Sequence, residues 1–346
     1  MPTFRRAEVT RVLAERPGLQ RLEVRMVGGA EARAFVLTDL TGSCAAGDPV
    51  IVNTTAVERG LGTGGWHVVH WNLARDELVA PGPDHVMKLR YTSLQNDVGT
   101  DELTHPEVDR PLDGAPVVAC ALHSQVAMVA LAFAAAAPGR RLAYVMTDGA
   151  ALPVALSDMV ADLRALDLLV GVVTAGHAFG GDLEAVTVPS GLGLARHVLH
   201  ADAIVVGMGP GVVGTGTALG TTAIEVAPIL DSVARLGGTP ILCIRASDAD
   251  SRERHRGISH HTGTILRLTS TQPWVAPIPP EVADLDGVRV HEVDPPDPAD
   301  LLDRSGMTVT TMGRDVTEDP IFFRAAASAG ALAAALLPPG PIDGRP

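Results

Sequence analysis

From residue 115 onward the chain alternates short apolar runs with segments of helical composition, and this alternation limits the folds open to it. Residues 116–122 form a continuous apolar run, residues 125–137 are Ala-rich, and the same pairing then repeats. Apolar runs of this kind, spaced by helices, indicate parallel strands covered on both faces. Further runs lie at 141–146, 168–174, 201–208 and 240–245, with shorter ones at 265–269, 288–293 and 307–311. We therefore predict a doubly wound, mostly parallel, Rossmann-like α/β domain over residues 113–338, followed by a tail at 339–346.

The N-terminal part of the chain has a different pattern. Short β-branched or alternating segments are interrupted by Pro17-Gly18, by Gly28-Gly29 and by several glycines between Gly60 and Gly65. Short strands with glycine turns and no helical period predict a small β-barrel or sandwich. We assign this part, together with the proline-containing connection at 73–112, to a β-rich domain over residues 1–112.

The formal net charge of −13 argues against nucleic acid and anionic membranes as partners, because both require a positive surface. The net charge is −3 up to residue 112 and −10 after it, so neither part is basic. No apolar stretch resembles a membrane span of about 20 residues. The N-terminal residues also lack the apolar core of a signal peptide. We expect a cytoplasmic protein without nucleic-acid or membrane partners.

Lysine and cysteine usage exclude several kinds of site. Lys88 is the only lysine, and no Walker-type glycine–lysine loop is present. Schiff-base chemistry is therefore restricted to that one residue. The three cysteines are widely separated, which excludes a zinc finger and a disulfide framework. No pattern in the sequence identifies a particular cofactor or metal ion.

A glycine-rich loop is the strongest single motif. Gly207, Gly209, Gly211 and Gly214 follow the apolar run at 203–208 in a G-x-G-x-x-G pattern. Glycines at such a turn let backbone N–H groups approach a phosphate. The alternative is a tight turn packed against neighbouring structure.

The sequence supports dinucleotide binding by this loop less well than the binding of a phosphate in general. Asp248 ends the next apolar run, where a ribose-binding acid is expected. It comes later in the chain than the dinucleotide fingerprint requires. The motif therefore predicts a small anionic ligand, nucleotides included, rather than a dinucleotide.

Arginines and histidines concentrate in one short segment. Arg252 and Arg256 carry guanidinium groups suited to phosphate or carboxylate, and His260 and His261 follow directly. We expect this segment to face the glycine-rich loop across a small phosphate- or carboxylate-bearing ligand. A solvated loop is the alternative.

Other titratable residues follow the predicted strands. His123, Asp148 and His177 each come after an apolar run, and ligands lie beyond the carboxyl ends of strands in an open α/β sheet. Together with His260 or His261 they are candidate catalytic residues, and their side chains are those of a metal shell. The second hypothesis is therefore a metal-dependent hydrolase.

A third hypothesis is a non-enzymatic assembly or scaffold protein. The Ala-rich segments at 130–137 and 325–335 allow close helix approach, and they predict a homo-oligomeric interface. Under this hypothesis the glycine loops only allow close packing and bind no ligand.

Five segments resemble an uncharacterised bacterial family, a conserved domain of unknown function. The resemblance covers most of the chain and implies that both parts form one working unit. It implies no activity, substrate or cofactor. The segments are residues 53–57, 61–65, 176–182, 207–217 and 257–262.

Overall fold

The computed structural model describes residues 1–62, 64–277 and 285–338. It contains two compact units, Met1–Gly99 and Thr100–Pro346. The predicted boundary at 112 lies later than this division, because the segment after residue 99 packs with the second unit. The backbone N–H of Glu184, for example, donates to the Asp101 carboxylate over 2.7 Å. The predicted tail at 339–346 lies outside the described residues.

The first unit is a closed five-stranded barrel, so the prediction of a small barrel or sandwich is confirmed as a barrel. The strand order is β1-β2-β3-β5-β4, and only the β3–β5 pair is parallel. Alternate residues such as Val9, Leu22 and Val52 point inward and are fully buried. The elements are β1 (Phe4–Arg16), β2 (Leu19–Met26), β3 (Glu31–Leu37), α1 (Thr38–Thr41), β4 (Pro49–Asn53), α2 (Thr55–Glu58) and β5 (Trp66–Asn72).

The second unit is built on an eight-stranded, all-parallel sheet, which confirms the predicted α/β class. Its strands are β6 (Pro116–Cys120), β7 (Leu142–Thr147), β8 (Gly171–Ala175), β9 (Leu183–Ala185), β10 (Ala203–Met208), β11 (Thr239–Cys243), β14 (Trp274–Val275) and β15 (Arg289–Val290). Their order is β15-β14-β11-β6-β10-β7-β8-β9. Two short strands, β12 (Ala246–Ser247) and β13 (Gly257–Ile258), form a separate antiparallel pair.

Helices cover both faces of this sheet, as a doubly wound fold requires. They are α3 (His123–Ala136), α4 (Asp158–Ala165), α5 (Val188–His197), α6 (Val226–Arg235), α7 (His260–Leu268), α8 (Pro298–Ser305) and α9 (Pro320–Ala335). The first core packs α3, α4, α8 and α9 on one face, and the second packs α5, α6 and α7 on the other. None of the described helices is long and apolar enough to cross a bilayer.

The Ala-rich helices α3 and α9 pack on each other inside the second unit. Ala130, Ala132, Ala326 and Ala329 are buried, and a Cβ at Gly330 would meet the backbone of Val129. The close approach that the sequence predicted for a subunit interface is therefore used within the chain.

Two of the shorter apolar runs do not form strands. Residues 265–269 were expected to extend the sheet but belong to the end of α7. Ser259 caps that helix, and Ile265 is buried one helical turn after His261. β-branched residues on the buried face of a short helix resemble a strand in sequence. Residues 307–311 make only an isolated bridge at Thr311.

The strand order reverses at β6 and β10. Helix α3 leads from β6 past β10 to β7, whereas α6 leads from β10 back to β11 on the other side of β6. Because all strands are parallel, the loops that follow them emerge at one edge, and ligands of open α/β sheets bind where the order reverses.

Candidate functional site

The glycines of the loop after β10 serve two different purposes. A Cβ at Gly207 would lie 2.8 Å from the carbonyl oxygen of Cys120, and one at Gly209 would lie 2.5 Å from that of Ala151. Both glycines are therefore required by packing against backbone. At Gly211, φ is +104°, and apart from the adjacent residues no described residue has an atom within 4 Å of the Cβ position, so this glycine faces open space. A Cβ at Gly214 would only touch Thr221.

This loop does not have the geometry of a dinucleotide-binding fingerprint. A fingerprint loop leads directly into a helix whose N-terminus holds the pyrophosphate. Here the first helical turn after β10 is the short 3-10 helix Thr222–Glu225. Asp248 is exposed, and its backbone N–H contacts the Asp319 carboxylate at 3.3 Å.

A cleft of about 240 Å³ lies where the glycine loop meets the start of α3. We call it the switch-point cleft. Its polar lining includes the hydroxyl-bearing residues Ser124, Thr308, Thr310 and Thr311, with Gly211 on the loop side. Its apolar walls are formed by Leu122, Met159, Val212, Val309 and Met312.

His123 also lines this cleft, but both of its ring nitrogens are bonded within the protein. Nδ1 lies 3.0 Å from the Met208 carbonyl oxygen, and Nε2 lies 2.7 Å from Ser157 Oγ. Nδ1–H therefore donates to the carbonyl, and Nε2 accepts from the hydroxyl. Burial lowers the pKa of His123 to about 4. Ser157 is itself buried and caps α4. The two hydrogen bonds of His123, to Ser157 and to Met208, therefore connect α4 to β10.

A carboxyl group that the sequence did not identify lies against the end of β7, at the last residue of the 3-10 helix Thr222–Glu225. Glu225 accepts a hydrogen bond from Thr147 Oγ1 at 2.6 Å and lies over Gly149. Burial raises the pKa of Glu225 to about 7, and the nearby charge of Asp148 adds to this, against the opposing Thr147 bond. Asp148 accepts from the backbone N–H of His177 at 2.9 Å.

Three histidines converge near the start of α7, and we call them the histidine cluster. His255, His260 and His261 each place a ring nitrogen within 4.8 Å of the others. Nδ1 of His255 lies 2.7 Å from Ser259 Oγ. Nε2 of His260 is buried and has no hydrogen-bond partner among the residues that the structure describes. The pKa values of His255 and His261 fall to about 4 and about 3 through burial and then through the charge of Arg245.

A buried ionic network adjoins the cluster. Asp250 binds Arg252 through two hydrogen bonds of 2.9 and 2.8 Å, and Arg314 and Arg245 approach it at 3.6 and 3.9 Å. The Arg252 contacts hold the pKa of Asp250 well below its usual range. Burial lowers the pKa of Arg245 to about 10. Arg252, a predicted ligand-binding residue, therefore uses two of its guanidinium nitrogens to bind Asp250.

The same network accounts for two other residues. Asp319 immediately precedes α9 but does not cap it, because its carboxylate binds Arg314 at 2.9 Å and Ser247 at 2.7 Å. Arg256, also predicted to bind a ligand, donates from Nε to the Asp250 carbonyl oxygen at 3.1 Å.

Arg254 is the arginine of this segment that remains available. It is exposed, and its guanidinium carbon lies 3.5 Å from the Cβ position of Gly216 on the glycine loop. Within the part of the chain that the structure describes, it makes no hydrogen bond or ion pair. The predicted approach of the arginine segment to the glycine loop is made by this residue.

The structure brings some of the predicted site residues together and separates others. Within residues 1–62, 64–277 and 285–338, the histidine cluster is the one group with three or more His, Cys, Asp or Glu ligand atoms at metal-binding range. It contains the predicted His260 and His261 and adds His255. The predicted His123, Asp148 and His177 lie outside it, at the ends of other strands.

The model of one protein family, DUF3866, which is described as a protein of unknown function, matches residues 33–330. This range is most of the chain. No curated protein and no solved structure matches.

Proposed function

The chain belongs to this family of unknown function, so we propose a function from the site geometry: the protein binds a small anionic molecule in the switch-point cleft. The ligand carries a phosphate or a carboxylate. The observation behind the proposal is that Ser124, at the first turn of α3, and the open Gly211 line the same cleft. That cleft lies where the strand order reverses, which is where open α/β sheets bind ligands.

The start of α3 offers hydrogen-bond donors to such a ligand. Gln125 folds back to accept from the Leu122 N–H at 3.0 Å. The next two backbone N–H groups, of His123 and Ser124, contact no acceptor among the described residues. Free N–H groups and the positive end of a fourteen-residue helix favour an anion.

The ligand must be attracted locally, because the whole chain is acidic, with a net charge of −13. Arg254 supplies positive charge on the distal side of the glycine loop, beside Gly216. The apolar walls contributed by Met159 and Val309 favour an organic anion over a bare inorganic ion. We therefore assign the site to small organic phosphates or carboxylates, mononucleotides included.

Thermal unfolding in the presence of a chelator tests this proposal. The panel is NAD, NADP, ATP, S-adenosylmethionine, sugar phosphates and small carboxylates. A bound anion at about 100 times its Kd adds about 2.7 kcal/mol to the unfolding free energy, which is easily resolved. The proposal is wrong if none of these anions stabilises the protein.

Replacement of Gly211 locates the site. Gly211→Ala places a side chain in the cleft, so we expect it to abolish the ligand-induced stabilisation. Gly139→Ala is a matched control, because Gly139 also has positive φ and open space around it but lies at the opposite edge of the sheet. Both variants lose about 1–2 kcal/mol of stability through backbone strain alone. Equal ligand responses in the two variants would place the ligand elsewhere.

A further inference from the structure

We propose that His255, His260 and His261 bind one divalent transition-metal ion of the zinc type. This site is separate from the switch-point cleft, and the inference does not depend on the anion proposal. It differs from the set expected from the sequence, because it uses His255 and none of His123, Asp148 or His177.

The three rings are arranged for convergence rather than for stacking. Their centroids lie 4.4 to 5.0 Å apart, and their planes are inclined by 44°, 57° and 82°. A tetrahedral ion with metal–nitrogen bonds near 2.0–2.1 Å needs ligand nitrogens about 3.3 Å apart. The present separation is at most 4.8 Å, so metal binding requires the three nitrogens to move closer together.

His260 indicates that the cluster is incomplete without a ligand. Its Nε2 is buried and has no partner among the described residues. Buried polar atoms are normally satisfied, so an unpaired one requires an explanation such as an ion. Burial and the charges of the surrounding arginines lower the pKa of His260, which favours the neutral ring. A neutral imidazole is the form that binds metal.

His255 already has the second contact that metal-binding histidines usually make. Its Nδ1 lies 2.7 Å from Ser259 Oγ. When Nδ1–H donates to that oxygen, the lone pair of Nε2 is left for the metal. Ser259 is held in turn because it caps α7 and accepts from the His261 N–H at 3.2 Å.

Arg245 opposes metal binding at the third ligand. Its Nη1 lies 2.9 Å from Nδ1 of His261. Since arginine only donates, Nδ1 accepts and the ring proton is on Nε2. A metal can bind Nδ1 only by displacing the guanidinium, and it can bind Nε2 only if the ring proton moves to Nδ1. In either case Arg245 must turn away, towards Asp250, which is already 3.9 Å from it.

The donor atoms define the class of metal. Three imidazole nitrogens favour zinc, cobalt, nickel or copper and disfavour magnesium and calcium, which prefer oxygen. Three protein ligands also leave one position of a tetrahedral ion open, as in catalytic rather than structural zinc sites.

Titration of chelator-stripped full-length protein with Co²⁺ tests the proposal. We expect one Co²⁺ per chain with the intense visible absorption of a tetrahedral ion, and competition by Zn²⁺ but not by Mg²⁺. His260→Ala and His255→Ala should each abolish this spectrum. His177→Ala, which removes a histidine at another strand end, should leave it unchanged. Circular dichroism and thermal unfolding in chelator establish that each variant is folded, with His260→Gln and His255→Gln as replacements if an alanine variant is not.

Arg245→Gln provides a test in the opposite direction. The Gln side chain can accept a hydrogen bond from Nδ1–H of His261, so we expect Co²⁺ to bind about tenfold more tightly than in the unmodified protein. Weaker binding in this variant would overturn the proposal. So would an octahedral spectrum, retention of the spectrum in both the His255 and His260 variants, or its loss in His177→Ala. Because the anion measurements are made in chelator, failure of either proposal leaves the other standing.

Discussion

Helices α3 and α7 both start after strands of the second unit, and each begins with a histidine, but the two histidines have opposite surroundings. His123 uses both ring nitrogens, one on the Met208 carbonyl and one on Ser157. His260 has a buried Nε2 without a partner in the described part of the chain, and its ring lies against those of His255 and His261. The same residue type at the first position of a helix connects two elements of the fold in one case and carries the ring nitrogen proposed as a metal ligand in the other.

The difference shows that a position at a strand end does not by itself decide the role of a side chain. Polar atoms that are fully satisfied within the fold are not free to bind a ligand without a cost in stability. Both ring nitrogens of His123 are satisfied in this way, and Arg252 and Arg256 are each bonded through part of their guanidinium groups to Asp250. The proposals rest instead on His260, Arg254 and Gly211.

Replacement of His123 has the largest expected effect on stability. His123→Ala removes two hydrogen bonds that join β10 to α4 and leaves a cavity, so we expect the unfolding free energy to fall by about 3 kcal/mol. His260→Ala, its counterpart on α7, should cost less than about 1 kcal/mol in chelator, because no hydrogen bond to Nε2 is lost. Denaturant unfolding measures both. Equal losses would remove the distinction between the two histidines.

Glu225, which lies against the end of β7, gives a third case, a hydrogen-bonded but energetically unfavourable charge. Its pKa is raised in the folded protein from 4.5 to about 7, so the folded state holds a proton that the unfolded state has released. The unfolding free energy should therefore fall as the pH rises from about 4.5 to about 7, by about 2–3 kcal/mol. Glu225→Gln mimics the protonated form and should remove this part of the pH dependence, making the variant more stable than the unmodified protein at pH 8. Parallel pH profiles for the two proteins would contradict the raised pKa.

Replacement of Arg254 has the smallest expected effect, and we expect it to change only the affinity for the anion. Arg254→Ala should weaken anion binding by about fivefold at low salt, because it removes one exposed positive charge beside the glycine loop, and the difference should shrink as salt is added. Arg256→Ala is the comparison, since the Arg256 side chain is already bonded to the Asp250 carbonyl oxygen. Calorimetric titration at two salt concentrations measures both. A larger loss in Arg256→Ala would mean that the wrong arginine has been assigned to the ligand.

The fold was predictable where one local signal was sufficient. Runs such as 203–208 are apolar on both faces, and this specifies a parallel strand between two helical layers. The choice between barrel and sandwich depends on whether β1 pairs with β4 across the unit, which no local pattern specifies. The sequence predicts a strand over residues 265–269, because β-branched residues on the buried face of a short helix resemble a strand.

The site was predictable as a location but not in its details. Parallel strands place His123, Asp148 and the glycine loop at one edge, as expected. The need for glycine at Gly207 and Gly209 comes from the backbone of Cys120 and Ala151, which are distant in sequence. Glu225 was missed for the same reason, because its environment is created by the end of β7.

The most direct test of the central claim is a crystal structure of the protein grown with the anion that stabilises it most in thermal unfolding. We predict density for the anionic group in the switch-point cleft, within hydrogen-bond distance of Ser124 and next to Gly211. Density for that ligand at any other place, with the cleft filled only by water, would contradict the account.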